Sequence, residues 1–141
     1  MNLDFSFNWL QSLYMLARVV LAAVLAGVIG YEREHVQRNA GMRTHILVAI
    51  GAALVMCSGE YLASQYPNSS IDPARIGAQV VSGIGFLGAG TIMKEGLTIK
   101  GLTTAASLWV VAGVGLAVGA GYYVGAVTTT VLSVLALTYL P

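Results

Sequence analysis

Arg18 and Glu60 stand inside long apolar stretches of this 141-residue chain. A charged side chain at mid-membrane costs about 3 kcal/mol on insertion scales, so such residues face one another, a backbone carbonyl or a wet path. If the segments that carry them are neighbours, Arg18 and Glu60 lie at similar depth and read first as an ion pair. The second reading makes Glu60 a carboxylate on a cation route. A denser polar group runs from Tyr31 to His45 and contains Glu32, Arg33, Glu34, Arg38, Arg43, Thr44 and His45. Glu32 and Glu34 could hold Mg²⁺ through its waters, because that ion takes one or two carboxylates and dehydrates reluctantly. Equally, they could neutralise Arg33, Arg38 and Arg43 within the same segment. With Asp72 they are weak candidates as metal ligands, and no metal site is assigned. His35 and His45 have no companion ligands at a metal spacing, and the chain has no Ser/His/Asp set or phosphate-binding P-loop. The sequence thus predicts a protein that is not an enzyme and has no resident cofactor, Mg²⁺ being the one ion its oxygen donors suit.

The composition says what kind of scaffold holds these groups. Hydrophobic residues make up 57% of the chain and charged ones 9%, against roughly 25% charged in soluble domains. Seven Lys/Arg against six Asp/Glu leave a net charge of +1 with no basic stripe, which excludes a phosphate backbone as partner. The single Cys57 lies in an apolar run and packs as a small hydrophobe. A spanning helix needs about 20 mostly apolar residues, and five windows approach that length: 10–30, 44–63, 74–93, 102–119 and 122–140. The expected fold is all-α, a polytopic membrane helix bundle of about five transmembrane helices in a single domain, 1–141, with no soluble C-terminal domain after the last span.

Orientation follows from the basic residues. Arg33, Arg38 and Arg43 lie between the first two windows and Lys94 and Lys100 between the third and fourth, whereas Ser64 to Pro73 contains neither Lys nor Arg. The positive-inside rule places the first two segments in the cytoplasm, the N-terminus outside and the C-terminus inside, with Arg75 the one opposing vote.

Asp72-Pro73 opens the third window, with Asp placed to cap free backbone N–H groups and Pro at a helical position that needs no N–H partner. Gly83, Gly85, Gly88 and Gly90 follow, with Gln79 and Ser82 among them. In lipid, small residues let helix backbones approach closely, so this helix is expected at the centre of the bundle. Gly115 and Gly119 repeat the small-xxx-small spacing in the fourth window. A faint echo at an offset of 60 pairs Gly30, Gly41, Thr44 and Ala52 with Gly90, Gly101, Thr104 and Ala112.

Four strings carry a resemblance: Gly30 to Glu34 (GYERE), Ala40 to His45 (AGMRTH), Asp72 to Gly90 (DPARI…QVVSGIGFLGAG) and Gly101 to Trp109 (GLTTAASLW). In this order the chain resembles the MgtC/SapB family of bacterial membrane proteins from about Gly30 to Gly121. The resemblance implies a multi-pass protein of the bacterial inner, or cytoplasmic, membrane, linked to growth under low magnesium and to virulence. It implies regulation through contact with a membrane partner, the ATP synthase being the leading candidate; the alternative is a transporter or channel for Mg²⁺ or another cation. A homo-oligomer suits either role. Carried over by position, the family-like polar residues are Glu32, Arg33, Arg43, Thr44, His45, Asp72, Arg75, Gln79, Ser82, Thr103 and Thr104, and Glu60 falls outside the strings.

Overall fold

Long apolar runs without an interior proline form helices here, and Pro67 and Pro73 fall only between helices or at a first helical turn. The computed structural model describes residues 9–140. They form α1 (Trp9–His35), α2 (Met42–Gln65), α3 (Pro73–Gly90), a hairpin of β1 (Met93–Glu95) and β2 (Thr98–Lys100), α4 (Leu102–Gly119) and α5 (Tyr123–Tyr139). Each of the five expected windows holds one helix, although the third, 74–93, is helical only to Gly90, with Met93 already in β1. Three of the helices, α1, α2 and α4, are long and apolar enough to cross a membrane, and α5 is apolar but has 17 residues. The 18 residues of α3 include Arg75, Gln79 and Ser82.

Two expected loops take regular structure. The first helix does not stop at Gly30 but continues to His35, so Glu32, Arg33 and Glu34 occupy its last turns. The segment from Lys94 to Gly101 is largely the antiparallel hairpin, in register Met93 with Lys100, Lys94 with Ile99 and Glu95 with Thr98. Gly96, at φ 62°, opens its two-residue turn, a position that favours glycine in hairpins. Lys100 and Glu95 form an exposed ion pair across it, 2.5 Å apart.

The third helix is not the central one. α4 packs on α1, α2, α3 and α5, while α3 packs chiefly on α2 and α4. The core is built of small or branched side chains: Ala22, Ala26 and Ile29 of α1, Ala49 and Ala53 of α2, Val111, Val114 and Val118 of α4, and Ala126 of α5. At Gly119 an added Cβ would lie 2.7 Å from Met56 Cβ and 2.8 Å from the Ala53 carbonyl, and at Gly115 it would strike the Ala49 carbonyl. Glycine there lets α4 approach the backbone of α2. On α3 only Gly77, Ile84 and Gly88 are buried, and a Cβ at Gly83, Gly85 or Gly90 would meet nothing within 4 Å.

Candidate functional site

The polar residues of the bundle gather at its two ends. At one end the last turns of α1 meet the first turns of α2 and α4. Arg33 is 4% exposed and donates from Nη2 to Thr104 Oγ1 at 3.2 Å. His45 is fully buried, with Nδ1 2.8 Å from the Gly41 carbonyl and Nε2 3.0 Å from Ser107 Oγ. A carbonyl only accepts, so Nδ1–H donates to Gly41; in the neutral ring Nε2 is then an acceptor for the Ser107 hydroxyl. That hydroxyl has a rival acceptor in the Thr104 carbonyl, 2.8 Å away. Gly30 makes the junction: a Cβ there would lie 2.6 Å from Met42 Cα and 3.0 Å from His45 Cβ.

The continuation of α1 separates the two carboxylates of this end. Residues two apart on a helix point to nearly opposite sides. Glu34 Oε2 accepts from the Met42 N–H at 3.0 Å, capping α2, whose N-cap Gly41 supplies no side chain. Glu32 Oε2 lies 3.8 Å from Arg33 Nη1 and has no hydrogen-bond partner among the described residues, as is also true of Arg33 Nε. The two glutamates therefore do not converge on one ion, and Asp72 caps α3 by accepting from Ala74 N–H at 2.9 Å. Among the described residues no three His, Cys, Asp or Glu side chains come together. Arg33 and Arg38 line a cavity of about 610 Å³ that also reaches Ser133 and Leu140 at the far end of α5.

At the opposite end Arg18 joins four helices. Its Nη1 lies 2.6 Å from Glu60 Oε2 of α2 and 2.7 Å from the Gly119 carbonyl that ends α4, and its Nε donates to Tyr123 Oη of α5 at 3.2 Å. Its guanidinium carbon stands 4.8 Å from the centre of the Tyr14 ring, a cation–π distance. The cation also meets the negative end of the α4 dipole. Glu60 borders an open cavity of about 590 Å³ with Tyr14 and Ser64, yet its Oε2 is already engaged by Arg18.

The other candidates are dispersed. Arg43, Thr44, Thr103, Arg75, Gln79 and Ser82 are exposed, and Arg75 and Gln79 share a shallow pocket with Val55. Gly88 packs on Ala105, whereas Gly83, Gly85 and Gly90 face open space. The sequence reasoning does not single out Ser107, Tyr14 or Tyr123. Ser107 stands three residues beyond Thr104, hence on the same helix face, which is the signal that could have found it.

The MgtC family model matches residues 19–141. MgtC of Salmonella typhimurium LT2 is 49% identical over 114 residues, covering 80% of this chain and 47% of its own length. YhiD of Escherichia coli K12, which bears the name of a candidate magnesium transporter, is 42% identical over 123 residues, 85% of this chain and 57% of its own. The uncharacterized protein slr0014 of Synechocystis is 48% identical over 129 residues, 92% of this chain and 52% of its own. The chain thus spans about half the length of these curated relatives. No solved structure matches it.

Proposed function

This chain belongs to the MgtC family of membrane proteins, and from that premise we propose that it is a multi-pass protein of the bacterial cytoplasmic membrane that regulates a membrane partner by helix contact. It would do so without catalysing a reaction, in adaptation to low magnesium and, in a pathogen, in virulence. The observation that carries this reading is the bare face of α3. A Cβ added at Gly83 or Gly90, seven residues and about two turns apart on one side of the helix, would meet nothing within 4 Å among the described residues, and Phe86 on the same side is 83% exposed. A glycine inside a helix is less favourable than alanine by about 1 kcal/mol, and among the described residues these two gain no close approach in return. A partner helix laid along them would supply that contact.

Gentle extraction of the tagged protein from its own membrane, followed by identification of what co-purifies, tests the reading. The expected result is a membrane partner, with the ATP synthase the first to assay, that is lost in Gly83→Leu while circular dichroism shows the helices intact. Recovery of the chain alone, or of the same partner with Gly83→Leu, would overturn it. The name of the Escherichia coli relative motivates a transport assay in parallel. Proteoliposomes carrying a Mg²⁺-sensitive dye are expected to show no flux, and flux abolished by Glu60→Gln would replace the contact reading with a cation conduit.

A further inference from the structure

Arg33 is a buried cation with too little negative charge around it. The carboxylate nearest to its guanidinium among the described residues, that of Glu32, stands 3.8 Å from Nη1, beyond hydrogen-bond distance, and Nε has no partner among them. A buried donor left unmade costs about 1–3 kcal/mol, more when it is charged. The surroundings add positive potential. Thr104, which Arg33 touches, lies in the first turn of α4, where free N–H groups amount to about half a positive charge. Gly101 at the N-cap supplies no side chain to answer them. Arg38 lines the same cavity, and among the described residues no Asp or Glu does.

Two guanidinium groups, an uncapped helix start and the hydroxyls of Thr103, Ser107 and Ser133 surround this cavity of about 610 Å³. Donors that come from Arg33 of α1, from Arg38 beyond it and from the first turn of α4 suit a tetrahedral oxyanion, which accepts on every side, better than a planar carboxylate. The rest of the wall is apolar, with Ile99, Leu102, Val110 and Leu137 among its residues. We propose that this cavity is a phosphate-binding site, with Arg33 and Arg38 as its cationic ligands and the start of α4 as its backbone donor. The phosphate comes either from the headgroup of an anionic phospholipid, whose chains would follow the apolar wall, or from a free phosphate anion. The site is independent of the α3 face and stands whether or not a partner docks there.

Thermal unfolding of the purified protein in a neutral maltoside detergent tests the site, with dihexanoylphosphatidylglycerol or inorganic phosphate titrated at matched ionic strength. A rise in Tm with at least one probe is expected. Its apparent affinity should fall roughly tenfold or more in Arg33→Gln, the weight of one charge-assisted hydrogen bond. Arg38 is exposed, so Arg38→Gln keeps the fold and should weaken the same probe in the same direction even if Arg33→Gln does not fold. A rise with the lipid alone assigns the headgroup, and one with inorganic phosphate assigns the free anion as sufficient. The site is overturned by folded wild-type protein that responds to neither probe, or by an undiminished response in Arg38→Gln.

Discussion

Arg18 holds together what a bundle with so few polar contacts would otherwise leave to dispersion. Its partners belong to α2, α4 and α5, and removing it strands the Glu60 carboxylate and the last carbonyl of α4. Breaking a buried ion pair costs about 3–5 kcal/mol. The side chains here are 15% and 33% exposed, so water screens part of the loss and about 1–2 kcal/mol is expected. Arg18→Met should therefore lower Tm in detergent, and adding Glu60→Leu should restore much of it; an additive fall in the double variant would show that the two do not act as a pair. This pair was legible in the sequence because both charges stand in apolar windows at similar depth. The burial of Arg33 was not, since it depends on α1 running one turn past its apolar stretch. Nor was the capping role of Glu34, whose donor partner Met42 N–H lies eight residues on and is reached only once α1 and α2 fold against each other.

Among the helices, the same residue type does opposite things according to what stands opposite. Gly119 of α4 lies against Ala53 and Met56, while a Cβ at Gly83 of α3 would meet nothing among the described residues. Gly119→Val should lower stability by about 1–3 kcal/mol through overpacking, whereas Gly83→Ala should be neutral or stabilising by up to about 1 kcal/mol through helix propensity. Unfolding monitored by the near-ultraviolet signal of the aromatic residues separates the two, and equal losses would contradict the assigned packing. Helix positions could be read from hydropathy because each apolar window is long. Which helix is central could not, because a run of glycines permits close approach without saying to what. The hairpin escaped notice for a related reason: strands of three exposed residues carry no apolar alternation.

For the molecule as a whole, the two ends differ in charge. Arg38 and Leu140 line one cavity with Ile99 of the hairpin, which brings the segment after α1, the hairpin and the end of α5 to the same end. Arg33 at the end of α1 and Arg43 at the start of α2 flank the first of these segments, and Lys94 and Lys100 lie in the hairpin. On the positive-inside rule we propose that this end, and the last described residues, face the cytoplasm. Leu97 at the hairpin tip is fully exposed, and the native Cys57 is 2% exposed. A Leu97→Cys variant in intact cells should resist a membrane-impermeant maleimide until the membrane is opened; labelling of unopened cells would reverse the orientation.

Arg18 ties α1, α2, α4 and α5 at one end, while at the other residues of α1, α4 and α5 line a cavity. The bundle is thus put together like a clothes-peg, with its fulcrum at the guanidinium of Arg18 and its jaws at the basic end. Gly121, at φ 77° in the joint between α4 and α5, is the bend of the spring. Amide hydrogens around Leu137 should exchange faster than those around Ala126, and loosening the fulcrum with Arg18→Met should spread fast exchange along the whole of α5. Whatever enters the cavity would then set how far the jaws stand apart.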